Sequence, residues 1–140
     1  MRPRQIRSVS VTEFDMISPE DELRIKETHH RYYQALGTAD WAALGEIFTF
    51  PAVFKGFVDE VLVATDASSL ATTFAMLIAA TPQAERTDIL SMDATCVRSN
   101  TYMLDMSYVL YDMFDAPVHE GRAIYFMNRV LDDFKIFAIM

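Results

Sequence analysis

A single cysteine, Cys96, leaves nothing for an intrachain disulfide to join. No lysine, arginine or histidine stands beside it, so it reads as a packing residue rather than a nucleophile. The four glycines are scattered, which excludes a glycine-rich phosphate loop. No apolar run approaches the ~18 residues of a membrane span. The opening residues carry no apolar central region, so a secretory signal is not expected, and a cytoplasmic protein fits. Positive charge is the scarce sign: 12 Lys and Arg stand against 20 Asp and Glu, for a net charge of −8. Such a surface repels nucleic acid and anionic lipid, so neither is an expected partner. The basic opening "MRPRQIR" is too short to reverse that. His29 and His30 are adjacent and point about 100° apart on a helix, and no histidine pair has zinc spacing. No metal and no cofactor is expected.

What is abundant is bulky apolar material. Hydrophobic residues make up 51% of the chain, which excludes a disordered protein. Ten Phe, six Tyr and nine Met exceed the needs of a minimal core. They can fill a core, line a cavity or cover a subunit face. The length suits one domain with one core. Residues 1–17 read as an arm with a short strand at "IRSVSV", and 18–140 as a single domain.

Three helices are expected first. Ser18 caps, Pro19 suits the first helical position, Asp21 sits where a capping box wants an acid, and Gly37 is the stop. Ile25, His29, Tyr32 and Leu36 share one face of that helix, so its buried side carries two polar tips. Asp40 caps a second, short helix with the stripe Trp41, Leu44 and Phe48. Pro51 should break the chain. "AVFKGFVDEVLVAT" reads as two short strands around a turn near Gly56 to Asp59. A third helix covers Ala67 to Ala80, with Leu70, Phe74, Leu77 and Ile78 on one face and Pro82 as its end. Strands follow near 86–99, 101–113, 119–131 and 134–140, with a tight hairpin at "SN". Helices followed by an antiparallel meander give an α+β domain with the helices on one face of a curved sheet.

"HHRYYQALGTADWAALGEIFTFPAVF" resembles the opening of the nuclear-transport-factor-2-like, SnoaL-like and ketosteroid-isomerase-like superfamily. "GRAIYFMNRVLDDFKI" resembles its last two strands, with Phe134, Lys135 and Ile136 where a Trp-Lys/Arg-Ile signature is common. The resemblance spans Asp21 to Met140 and rests on fold-forming residues. It implies a cone: a curved, mainly antiparallel sheet wrapped around the helices, with a central pocket, often paired as a homodimer through the outer sheet face. Ketosteroid isomerases use an aspartate base, a donating tyrosine and a protonated aspartate. Tyr32 matches the tyrosine. The base aligns near Gly56 and the second acid near Phe126, so both acids are missing and that activity is disfavoured. The epoxide-hydrolase and scytalone-dehydratase patterns are not found either.

In "NTYMLDMSYVLYDMF", alternation gives β-faces Tyr102, Leu104, Met106, Tyr108, Leu110 and Met103, Asp105, Ser107, Val109, Tyr111. By hydrophobicity the first faces inward and Asp105 faces solvent or a dimer contact. By the resemblance the second faces inward, and Asp105 then approaches His29 and Tyr32. His29, Tyr32 and Asp105 are thus the catalytic candidates, with core histidine and core aromatic as the plainer readings of the first two. Asn128, in phase with Phe126, is the candidate donor to a ligand carbonyl. Trp41, Phe54, Tyr111 and Phe126 complete the candidate pocket. The expected occupant is a small hydrophobic molecule, cyclic or carbonyl-bearing. The expected chemistry, where there is any, is cofactor-free proton transfer of isomerase, cyclase or dehydratase type. The alternative is a non-catalytic binding or assembly domain. Phe134, Ile136 and Ala138 read as one face of the last strand and Phe137 and Ile139 as the other, and a strand apolar on both faces calls for a partner copy.

Overall fold

The computed structural model describes residues 17–81 and 83–140. The strand expected at "IRSVSV" and the helix stop at Pro82 lie outside the described residues. Helix α1 spans Pro19–Gly37. Its start is fixed by Ser18, whose Oγ accepts the Asp21 amide at 3.0 Å, and by three acids in the first turn that suit the positive end of the helix. Ile25, Thr28, His29, Tyr32 and Ala35 form its buried face. Helix α2 spans Trp41–Ile47 and is capped by Asp40, which accepts the Ala43 amide at 3.2 Å. Helix α3 spans Ala67–Ala80 behind a reciprocal capping box between Asp66 and Ser69. It buries Leu70, Thr73, Phe74 and Leu77 and leaves Ile78 exposed, so Ile78 is not part of the apolar face expected for it.

The strands are β1 (Phe48–Phe54), β2 (Leu62–Ala64), β3 (Arg86–Arg98), β4 (Thr101–Tyr111), β5 (Pro117–Val130) and β6 (Asp133–Ile139). They form one curved, unclosed sheet in the order β2-β1-β6-β5-β4-β3. Only β1 and β6 pair in parallel; every other neighbour is antiparallel. The tight hairpin between β3 and β4 is made by Asn100 at φ 64°, and the turn before β6 by Leu131 at φ 58°. This is the α+β architecture that the order of elements implied.

Two local expectations change. Phe48 opens β1 rather than closing the second helix. Pro51 does not break the chain but lies inside β1, after a cis Phe50–Pro51 bond. The reason is the ladder: β1 and β6 shift register between Phe48 and Val53, so the missing proline N–H falls where pairing is already interrupted.

One sheet face builds the core. Tyr102, Leu104, Met106, Ala123, Tyr125, Met127, Phe134, Ile136 and Ile139 meet Ile25, Tyr32, Leu44, Leu70 and Phe74 from the helices. β6 does not keep one alternation. Met127 pairs with Ile136 but Phe126 pairs with Ala138, so Phe137 is an extra residue. This bulge flips the phase: Ile139 joins Phe134 and Ile136 on the core side, and Ala138 moves to the outer face with Phe126. The face assignments expected for Ala138 and Ile139 are corrected accordingly.

The sheet and α1 are clamped together by Arg129. Its guanidinium donates to Asp21 Oδ2 at 2.5 Å and to the Tyr102 hydroxyl at 2.9 Å. It also lies 4.8 Å from the centroid of the Phe134 ring. Thr28 adds a tie, its hydroxyl donating to the Phe134 carbonyl at 3.3 Å. Arg129→Ala should therefore cost about 2 kcal/mol, because it strands a half-buried Asp21 and uncovers two rings. Lys26→Ala, which removes an exposed pair with Glu22, should cost no more than about 0.5 kcal/mol. Urea denaturation of both variants checks the contrast, and equal losses would overturn it.

Candidate functional site

Where α1 leaves the concave face of the sheet, a cleft of about 190 Å³ opens. Tyr32, Tyr33 and Leu36 of α1 form one wall; Met106, Tyr108 and Leu110 of β4 with Ala123 and Tyr125 of β5 form the other. Phe57, Thr81, Thr87 and Ile139 close the ends. A second branch of about 90 Å³ runs toward α3, walled by Phe54, Phe74, Leu77 and Ile78. The two branches share Tyr32, Leu36, Phe57, Thr81 and Ile139. Among the described residues, no Asp, Glu, His, Lys or Arg lines either branch.

The polar equipment is phenolic. Tyr32 and Tyr125 are buried, with ring centroids 5.4 Å apart and edge to face. Burial pushes the Tyr32 hydroxyl well above its ordinary range, opposed by the Tyr125 hydroxyl beside it. Burial also raises Tyr125, with the neighbouring Tyr32 and Tyr108 adding to it. Tyr108 is raised by burial alone. All three phenols are therefore protonated at neutral pH and able to donate. Tyr108 owes its position to Gly121, its cross-strand partner. A methyl group at Gly121 would overlap the Tyr108 ring, so only glycine lets that ring lie flat across β5.

His29 lies behind this wall and does not line it. It is 3% exposed, its ring 4.9 Å from that of Tyr125 and 5.8 Å from that of Tyr32. Its Nε2 has no hydrogen-bond partner among the described residues. Burial, helped by the charge of His30, lowers its pKa to about 4. It is neutral at pH 7.

The structure brings together only part of the expected site. Tyr32 and Phe54 face the cleft and His29 backs it. Asp105 follows the reading from hydrophobicity and not the one from the resemblance: the Tyr102, Leu104, Met106 face is the inward one, so Asp105 points away from His29 and is not placed beside it as a catalytic group. There it takes a two-pronged ion pair from Arg122, at 2.8 Å to Oδ1 and 2.5 Å to Oδ2. The hydrogen bonds from Arg122 hold its carboxyl below the usual range. Phe126 and Asn128 are corrections. Ala123, Tyr125 and Met127 are the inward residues of β5, so Phe126 and Asn128 face outward. Asn128 accepts from the Thr101 hydroxyl at 3.5 Å. Tyr111 carries Arg86 over its ring at 4.2 Å, and Trp41 packs against the core; neither lines the cleft. Tyr108 and Tyr125 were missed, although Tyr108 stood on the face that hydrophobicity alone turned inward.

No protein family profile matches this chain, and no curated protein does. Solved structures do. An NTF2-like protein of unknown function from Pseudomonas putida KT2440 superposes with a TM-score of 0.69 at 12% identity, covering 89% of this chain and 87% of its own. A candidate aromatic ring hydroxylase from Novosphingobium aromaticivorans gives 0.66 at 18% identity, covering 89% of each chain. A candidate dehydratase of the NTF2-like family from Streptomyces avermitilis gives 0.59 at 13% identity, covering 86% and 95%. The chain has the NTF2-like fold. No described helix is long and apolar enough to cross a membrane.

The buried His29 makes stability depend on pH in a defined sense. Its folded pKa of about 4 lies below the ordinary histidine value of 6.5, so the unfolded chain binds its proton first. Below pH ~6.5 the folded state loses stability relative to the unfolded, and the loss is complete near pH ~4, at about 3 kcal/mol. Urea midpoints at pH 7.0 and 4.5 should show that loss in the wild type and much less in His29→Phe. An equal pH dependence in both proteins would sink the assignment.

Proposed function

We propose that the cleft binds a small, largely apolar molecule that carries one acceptor oxygen, such as a cyclic ketone. The observation behind this is the meeting of three protonated phenols in a cavity whose remaining described lining, apart from Tyr33, Thr81 and Thr87, is apolar. Apolar walls supply affinity without direction, and the donors fix orientation through one oxygen. An anionic ligand would meet no cation among the described lining residues and would pay to desolvate. Two proteins of the same fold carry names that imply small organic substrates, a ring hydroxylase and a dehydratase, which fits a cleft of this size.

Catalysis by proton transfer asks for a base beside the reacting carbon. Asp105 is paired with Arg122 on the outer face, and His29 is screened by Tyr32 and Tyr125. Binding is therefore the function the geometry favours over isomerase, cyclase or dehydratase chemistry. The test is chemical-shift mapping with cyclohexanone on uniformly labelled protein. Resonances of Tyr32, Tyr108 and Tyr125 should move together. Tyr125→Phe should weaken binding by up to about tenfold, the worth of one good hydrogen bond, and Gly121→Ala should weaken it by expelling the Tyr108 ring. Shifts scattered over the outer surface, or variants that bind as well as wild type, would refute the proposal.

A second reading concerns assembly and rests on the outer face. Its β3–β4 side is charged, with Asp93 directly across from Asp105. Its β5–β6 side is apolar, with Ile124, Ala138 and the rings of Phe126 and Phe137 6.1 Å apart. We propose that two copies pair through the β5–β6 side. Sedimentation should give a dimer at micromolar concentration and a monomer for Phe126→Lys; a monomeric wild type would reject it.

A further inference from the structure

A larger groove borders the cleft and shares part of its lining. This groove, of about 580 Å³, runs outward between the end of α3 and the loop after β4. It shares Leu36, Ile78 and Thr81 with the smaller branch of the cleft and Leu36 and Thr81 with the larger. Leu36, Ile78 and Thr81 therefore border both spaces, and a ligand spanning the two would keep contact with them.

The outer wall of the groove is an exposed apolar tip held rigid. Met113 and Phe114 are 71% and 82% exposed and both line the groove. Adjacent large apolar groups so open to water are costly. Yet the loop that shows them is tightly braced. Asp112 accepts the amides of Phe114 and Ala116 at 2.8 and 3.0 Å, and its own amide donates to the Ala116 carbonyl at 2.9 Å. Asp115, at φ 59°, pairs with Arg86, which also holds Asp88 and covers the Tyr111 ring. Such bracing prepares a surface for contact rather than letting it fold away. The groove is also acidic: Asp112 and Glu85 both line it, and Glu85 is placed by its amide's hydrogen bond to the Tyr111 carbonyl at 2.8 Å.

We propose that the natural ligand is elongated. Its oxygen-bearing head meets the phenols, its apolar stem passes Leu36 and Thr81, and its tail lies against Met113 and Phe114 and ends neutral or cationic beside Glu85. This rests on the binding function proposed above and narrows its ligand class from compact to extended, and from any tail to one without negative charge.

The test compares three ketones by titration: cyclohexanone, 4-heptylcyclohexanone and the same chain ended by a carboxylate. The heptyl chain should raise affinity at least about tenfold, since two newly buried methylenes suffice for that. The double variant Met113→Ser, Phe114→Ser, made at exposed positions, should lose most of this gain and bind cyclohexanone as wild type does. The carboxylate should bind less well than the heptyl ketone, and Glu85→Gln should narrow the gap. If cyclohexanone binds in the cleft but the heptyl chain adds nothing, or adds as much in the double variant, the elongated ligand is wrong and the binding function stands. If neither neutral ketone shifts the cleft tyrosines, both fall together.

Discussion

Tyr32 is the residue on which core and cleft both depend. Its ring lies 5.4 to 6.1 Å from those of Tyr125, His29, Phe74 and Phe48, and Phe54 and Phe74 close the cluster edge to face at 5.3 Å. Edge-to-face packing of rings adds stability beyond the area buried and fixes angles that aliphatic packing leaves loose. The same ring forms part of both branches of the cavity. The cavity is thus not a defect beside the core. It is the part of the aromatic cluster where the helices stop filling the concave sheet, and its wall inherits the rigidity of the core.

Charge is kept to the outside of this arrangement. Arg129 with Asp21, Arg122 with Asp105 and Arg86 with Asp88 and Asp115 all lie at or near the surface. The interior polar groups, Tyr32, Tyr125 and His29, are held neutral because burial disfavours their charged forms. A neutral interior costs little to build and leaves hydrogen-bond capacity unspent. The clearest unspent capacity is His29 Nε2. Buried polar atoms normally find a partner, so its isolation behind the tyrosine wall marks the region where the fold tolerates an unmet demand.

Much of this was legible beforehand. Ser18 and Asp40 start helices by local hydrogen bonds, which sequence displays directly. The faces of β4 followed from alternating hydrophobicity, because Leu104 and Met106 could only be buried on one side. Where the outcome depended on pairing between distant segments, it was not visible. The bulge at Phe137 exists because β6 is matched to β1 on one side and β5 on the other, and no single strand announces it. Pro51 is tolerated for the same reason, at an interruption in the β1–β6 ladder. Tyr125 escaped notice because its neighbour Phe126 was taken as the inward residue.

That one-residue error bears on the chemistry. The resemblance placed a donor acid near Phe126 and found none. The strand's true phase puts Tyr125 inward instead. A buried phenol raised well above its ordinary pKa keeps what a protonated carboxyl has: an O–H donor with no charge to desolvate. With Tyr32 on the facing wall and Tyr108 on its own, the described lining offers donors and no Asp, Glu or His. A carboxylate brought past Leu36 and Ile139 would be buried, and burial would lift its pKa until a partner arrived. Adding a base at this wall would therefore demand two changes, the acid itself and the cation that holds it ionised.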